Sequence, residues 1–202
     1  MIVIPALSLG NFASILRVID KCGGYAELID SPIALRKADK IILAGVGAFD
    51  YGMTSINSMW REELENAVLV RRIPILGICL GMQLMCKFSE EGHLPGLGWI
   101  DAEVRRFSWS SDLNLKLPHM GWNTVKIVKS NPLLETGDDE QRFYFVHSYH
   151  VVCNNPNDVL ATAHYGYEFA SAINHDNIFG VQFHPEKSHK FGIRLINNFL
   201  RL

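Results

Sequence analysis

An α/β domain with a mainly parallel central sheet, joined by antiparallel strands in its second half, is what three features of this chain specify. Over roughly the first 80 residues, short apolar runs alternate with helical stretches, the pattern of βαβ units. From Trp99 on, the runs become rich in β-branched and aromatic residues. They are divided by turn signals such as Ser130-Asn131-Pro132 and Asn154-Asn155-Pro156, which suits antiparallel strands. The chain closes on an amphipathic stretch able to return to the sheet. Its 202 residues suffice for one sizeable core, so a single domain over 1–202 is expected.

The first strand is Ile2 to Ile4, and Asn11 to Cys22 is the first helix, with Ile15, Val18, Ile19 and Cys22 at helical spacing and Asn11 as a cap. Ala26 to Ile29, Lys40 to Leu43 and Ile73 to Ile78 follow as further strands, mostly apolar because a parallel sheet is covered on both faces. Trp60 to Val70 carries Leu64 and Val68 on one helical face. In the second half Trp99 to Phe107, Thr124 to Val128, Phe143 to Val152 and Leu160 to Phe183 read as strand-forming segments. Ser188 to Leu202 aligns Phe191, Leu195, Ile196, Phe199 and Leu200 along one side of a last helix.

Nineteen basic and 21 acidic residues leave a net charge of −2 without a long basic run. Neither nucleic acid nor a membrane surface is therefore an expected partner. No apolar run has the length of a membrane span, and Met1-Ile2-Val3-Ile4-Pro5 lacks the features of a secretory leader, so a cytoplasmic protein is expected. The four cysteines, Cys22, Cys79, Cys86 and Cys153, form no Cys-x-x-Cys pair. Neither a zinc site nor a disulfide framework is indicated, and no metal or other cofactor is expected.

The strongest chemical signal is Gly77-Ile78-Cys79-Leu80-Gly81, which falls between an apolar strand and a helical pattern. A strand-turn-helix elbow lifts its turn residue to the top of the sheet and needs glycines where strand and helix approach. A cysteine there meets the positive end of the helix macrodipole, which favours thiolate over thiol. The plainer alternative is a small apolar residue in the core, where free cysteine is common. A thiol nucleophile needs a base, and the base needs an orienting group. Of eight histidines, His184 alone has one built in, because in Phe183-His184-Pro185-Glu186 the proline keeps His184 extended and Glu186 can face the same way. Alone, this is a strand-end histidine beside a solvated glutamate; with the elbow, Cys79, His184 and Glu186 become a candidate triad. Charge developing on an attacked carbonyl oxygen also needs N–H donors. Leu80, just after the nucleophile, is one candidate, and Val46 in the turn Ala44-Gly45-Val46-Gly47-Ala48-Phe49 is the other. A phosphate loop is the rival reading of that turn, weakened by the missing third glycine and Gly-Lys-Ser/Thr.

These segments resemble the class I (triad) glutamine amidotransferases, and within them the glutaminase subunits of imidazole glycerol phosphate synthases. Gly77 to Gln83 and Phe183-His184-Pro185-Glu186-Lys187-Ser188 are similar to motifs of the whole family. Gly45-Val46-Gly47-Ala48-Phe49, Pro118-His119-Met120-Gly121-Trp122-Asn123 and Tyr144-Phe145-Val146-His147-Ser148-Tyr149 narrow the match to the subunit, and the resemblance spans nearly the whole chain. It implies a three-layer fold and hydrolysis of glutamine to glutamate and ammonia. Cys79 would be the nucleophile, His184 the acid and base, and Val46 and Leu80 the oxyanion donors. Gln83, Gly47, Ser148 and Tyr149 would hold the amino-acid end of the substrate. It also implies a heterodimer with a (β/α)8-barrel cyclase that consumes the ammonia in histidine biosynthesis, with Asn11, Trp122, Asn123 and Lys187 at the interface. The elements already described leave no segment for a second active site, so the acceptor chemistry is expected on another chain.

Two departures qualify the resemblance. Ala6-Leu7-Ser8-Leu9-Gly10-Asn11 stands where the family usually has Asp-Tyr-Gly-Met-Gly-Asn, which bears on docking to the cyclase. Ala44 replaces the usual proline, relaxing φ and restoring an N–H, so a looser oxyanion strand and higher glutaminase activity without the partner are expected. A second reading stays open, a glutaminase feeding a sugar amidotransferase of bacterial surface polysaccharides. It draws on Glu186 to Gly192 and on Leu94-Pro95-Gly96-Leu97-Gly98-Trp99. From another class, a catalytically silent regulatory subunit of a barrel partner is the remaining alternative.

Overall fold

The computed structural model describes residues 1–7, 10, 12–110, 113–136 and 140–202. Four parallel strands open the sheet: β1 (Ile2–Pro5), β2 (Ala26–Ile29), β3 (Lys40–Gly45) and β4 (Ile75–Cys79), arranged β2-β1-β3-β4. Next come β5 (Phe88–Ser89), β6 (Ala102–Arg106), β7 (His119–Ile127), β8 (Gln141–His147), β9 (Tyr149–Cys153), β10 (Val159–Tyr165), β11 (Tyr167–His175) and β12 (Ile178–Val181). β12 lies beside β4, and the sheet continues β12-β11-β10-β7-β8, while β9 pairs with β11 and β6. The described residues also form five α-helices: α1 (Phe12–Lys21), α2 (Phe49–Ser55), α3 (Arg61–Glu65), α4 (Leu80–Leu84) and α5 (His189–Arg201). None is long and apolar enough to cross a membrane.

Strand alternation divides the core into two layers. Val3, Ile41, Leu43 and Ile75 face the layer of α2, α3 and α4, packing with Phe49, Met53, Trp60, Leu64, Met82 and Leu84. Ile2, Ile4, Ile42, Ala44, Leu76, Ile78 and Val181 face α1 and α5, against Ile15, Ile19, Leu195, Ile196 and Phe199. The three-layer α/β arrangement expected from the resemblance is therefore present. Ile15 and Ile19 of α1 and Leu195 and Phe199 of α5 are buried as their spacing predicts.

Three expectations need correction. Helical structure begins at Phe49, well before Trp60, and runs through π-turns at Ile56–Trp60 and Asn66–Val70. Gly52 sits where α2 crosses α4: a Cβ there would lie 3.0 Å from the Leu84 side chain. Phe143 to Val152 is two strands, because the chain leaves the β7 ladder at His147 and joins β6 and β11 from Tyr149. The last strand of the Leu160 to Phe183 segment is antiparallel to β11 but parallel to β4, so it rejoins the parallel half. Asn11, with Ser8 and Leu9 of the altered first loop, lies outside the described residues.

Candidate active site

Cys79 ends β4, the strand between β3 and β12, and α4 starts at the next residue. This is the carboxyl end of the parallel strands, where open α/β sheets place their sites. Its φ of 52° and ψ of −108° lie in a region costly for an L-residue, about 1–3 kcal/mol, and give the sharp turn of an elbow. Both flanking glycines are dictated by contact. A Cβ on Gly81 would lie 1.7 Å from the Leu43 carbonyl oxygen, and one on Gly77 would lie 2.7 Å from the Met82 nitrogen.

The imidazole arrives from the neighbouring strand. His184 follows β12, and its N–H donates to the Tyr144 carbonyl at 2.8 Å. Ser188 ties down the same turn: its hydroxyl donates to the His184 carbonyl at 2.6 Å and accepts from the Tyr144 N–H at 3.0 Å. The Nδ1 atom of His184 pairs with Glu186 Oε1 at 2.7 Å, both side chains being more than nine-tenths buried. Nε2 is buried, has no hydrogen-bond partner among the described residues and is left for Cys79. Burial would lower the His184 pKa, but Cys79 on one side and Glu186 on the other outweigh it and hold the imidazolium up to about 9. In contrast, burial pushes the Cys22 and Cys86 thiols up and takes Cys153 to about 12, which removes them as nucleophiles near neutral pH.

A cleft of about 290 Å³ opens over Cys79 and gathers Leu80, Val46, Gly47, Gln83, Ser148 and Tyr149 around it. Leu80 is the first residue of α4, where N–H groups have no partner within the helix. Gly47 adopts a φ of 128°, and Val46 beside it is 44% exposed, so the turn after β3 presents its backbone at the cleft mouth. Ala44 remains within β3, opposite Ile78. Gln83 Nε2 donates to the Tyr149 carbonyl at 3.2 Å and to Gln182 Oε1 at 3.1 Å. Both of its protons are spent inside the protein, so Gln83 can meet a ligand only as an acceptor.

Of the expected interface residues, Lys187 and Trp122 come together. Lys187 Nζ lies 5.7 Å from the Tyr144 ring, and Trp122 packs on the same ring and stacks on His189. Asn123 is turned toward β10: its amide contacts His119 Nε2 at 3.2 Å and donates to the His164 carbonyl at 2.9 Å. It also lines, with Trp122, a surface groove of about 490 Å³. His184, Glu186, Lys187 and Val46 border a separate cavity of about 90 Å³.

Sequence reading missed three contributors. Glu91 is the one acidic side chain among the described residues lining the cleft, and it also accepts from the Phe49 N–H at 2.9 Å, capping α2 from a distant loop. Burial pushes its carboxyl pKa up. His147 reaches the cleft wall, its Nδ1 2.7 Å from the Tyr149 carbonyl and its Nε2 2.9 Å from His119 Nδ1. Gln182 is fully buried beside Cys79. No motif or spacing marks Glu91 or Gln182, and His147 lies inside the stretch Tyr144 to Tyr149 without a role of its own in that pattern. Among the described residues no three His, Cys, Asp or Glu side chains gather as a metal site would.

The sequence profile of class I glutamine amidotransferases matches residues 12–202. The chain belongs to that family. Over its whole length it is 46% identical to imidazole glycerol phosphate synthase subunit HisH 2 of Pseudomonas aeruginosa, matched over all of that protein. It is 47% identical to the subunit HisH 2 of Methanococcus maripaludis, of which 99% is covered. Among class I amidotransferases it therefore belongs with the HisH subunits. Solved structures agree on the fold. A glutamine amidotransferase structure superimposes with a TM-score of 0.75 at 18% identity, covering 99% of this chain and 97% of that one. Another, from Thermotoga maritima, gives 0.64 at 20% identity over 100% of this chain and 83% of that one.

Proposed function

We propose that this amidotransferase hydrolyses glutamine at Cys79, His184 and Glu186 and hands the ammonia to a (β/α)8-barrel cyclase, as the glutaminase subunit of a cytoplasmic imidazole glycerol phosphate synthase. The observation that carries the chemistry is the divided imidazole: one nitrogen is held by Glu186, and the other is buried, unpaired and next to an elbow cysteine. In the reaction the Cys79 sulfur bonds to the carboxamide carbon, and the carbonyl oxygen takes up charge against the N–H groups of Leu80 and Val46. The C–N bond then breaks as His184 Nε2 gives its proton to the departing nitrogen, leaving ammonia and a glutamyl thioester. Water attacks the thioester, His184 takes its proton, and glutamate leaves as the Cys79 sulfur is regenerated. Within the cleft, Glu91 supplies the negative charge that suits the substrate ammonium, while Gln83 Oε1 and the backbone at Gly47, Ser148 and Tyr149 border the same space.

Ammonia must reach its acceptor without passing through bulk water, where it would be protonated. The small cavity bordered by His184, Glu186, Lys187 and Val46 offers an exit beside the triad. Lys187 and Trp122, gathered around Tyr144, would meet the cyclase there, with Asn11 and Asn123 as further contacts. With the partner, the ammonia would convert a phosphoribulosyl formimino-carboxamide ribotide into imidazole glycerol phosphate and an aminoimidazole carboxamide ribotide, the lyase activity of the complex. The test is ammonia release from glutamine by the full chain, alone and with a barrel cyclase, beside labelling by a thiol-reactive glutamine analogue. Turnover stimulated by the cyclase and a label on Cys79 are expected. An unlabelled Cys79 with no turnover in the complex would leave a silent regulatory subunit as the better reading.

A further inference from the structure

We propose that Gln182 is a further catalytic residue, the N–H donor that holds the Cys79 sulfur in its attacking orientation and favours its ionised form. The inference rests on Cys79 being the nucleophile, as proposed above.

Strand register puts Gln182 in place. β12 runs parallel to β4 with Gly180 opposite Gly77 and Val181 opposite Ile78, so the next step sets Gln182 beside Cys79. Its backbone N–H donates to the Ser171 carbonyl at 2.9 Å, and the residue is fully buried. A primary amide in such a place is costly unless its polar atoms are bonded. Here Nε2 lies 3.6 Å from Cys79 Sγ, and Oε1 accepts from Gln83 Nε2 at 3.1 Å.

The direction of these bonds is forced from one end. The Tyr149 carbonyl can only accept, and it faces both His147 Nδ1 at 2.7 Å and Gln83 Nε2 at 3.2 Å. Gln83 must therefore turn its NH2 group toward Tyr149, which presents its second proton to Gln182. Gln182 must answer with its oxygen, and its own NH2 group is left facing the sulfur. Turning the Gln182 amide over would set NH2 against NH2 at Gln83 and an oxygen against a thiolate at Cys79. A donor facing the sulfur suits the anion, since hydrogen bonds to charged acceptors are the stronger ones. The sulfur also lies 3.9 Å from the Val146 carbonyl, which can take the proton of a thiol but offers an anion nothing. Among the described residues the titratable groups around the sulfur are His184, with Glu186 behind it, His147 beyond the Tyr149 carbonyl, and Glu91 and the Tyr149 phenol, which line the same cleft.

The test is the pH profile of Cys79 alkylation by iodoacetamide in the full chain, read by mass spectrometry of the Cys79 peptide, for wild type and Gln182→Met. Methionine keeps the length and removes the donor. The expected result is a profile displaced to higher pH, with alkylation on the acid limb of the profile slowed roughly tenfold, as a shift of one pKa unit requires. Glutamine kcat should fall by a similar factor, with KM changed less than about threefold. An unshifted profile with wild-type kcat overturns the proposal, because a merely structural amide would leave the thiol's titration alone. Should Gln182→Met fail to fold, wild type decides. The side-chain NH2 resonances of Gln182, labelled with nitrogen-15, must move as Cys79 titrates, and resonances that stay still overturn the proposal. Wild-type Cys79 that neither alkylates at low pH nor supports glutamine turnover would refute the triad itself, a result distinct from a normal wild type with an unshifted variant.

Discussion

His184 and His147 lie near the same sulfur, that of Cys79, one just past the end of β12 and the other at the end of β8, and their pKa values move in opposite directions. Burial acts to lower both. For His184 it is outweighed by Cys79 and Glu186, and the ring is raised to about 9. Among the described residues the hydrogen-bond partners of His147 are a backbone carbonyl and the His119 ring, neither of them charged, so burial wins and takes it to about 3; His119 falls to about 4 for the same reason. Burial alone makes a neutral structural imidazole, whereas a carboxylate and a thiol make one that can carry and release a proton.

Removing the Cys79 sulfur is the severest way to break this contrast. Cys79→Ser should reduce glutamine turnover by roughly a thousandfold or more, since the proposed intermediate forms on the sulfur; steady-state ammonia release measures it. Glu186→Gln should cost roughly a hundredfold in kcat and move the alkaline limb of the pH–rate profile down from about 9 toward the ordinary 6.5. An alkaline limb that stays in place would break the link between Glu186 and the raised imidazole.

Stability separates the two histidine environments by sign. The contribution of His184 is complete below 6.5 and is lost as pH rises through about 9. Those of His119 and His147 hold above 6.5 and are lost as pH falls toward about 4 and about 3. His119→Phe should therefore flatten the acid side of a urea-midpoint curve while leaving its alkaline side unchanged. At the elbow, Gly81→Ala forces a methyl against the Leu43 carbonyl and should lower stability by about 1–3 kcal/mol, measurable by urea unfolding. The smallest expected change belongs to Ala44→Pro, which should lower glutamine hydrolysis by the isolated subunit a few-fold by stiffening the oxyanion strand; equal basal rates would refute that.

The parallel half was legible because its signals are local. An apolar run, two glycines dictated by contact and a cysteine between them describe one turn of chain, and the apolar face of α5 describes another. The antiparallel half depends on pairings between distant segments. Nothing near Ser148 announces that the chain changes ladders there, and that change brings Ser148 and Tyr149 to the cleft. Glu91 and Gln182 escaped notice for the same reason: one reaches the cleft from a loop latched onto α2, and the other through the register of β12 on β4. The pair His184 and Glu186 was readable because strand, proline and carboxylate are contiguous.

If the Cys79 sulfur opens glutamine, the acyl group it takes up can be trapped. The full chain, with its cyclase, is quenched in acid during turnover of glutamine and its peptides are weighed. A glutamyl adduct is expected on the peptide carrying Cys79, absent from Cys79→Ser and accumulating when deacylation is slowed. An adduct on Cys22, Cys86 or Cys153 instead, or undiminished turnover by Cys79→Ser, would show that the sulfur at the elbow is not the nucleophile.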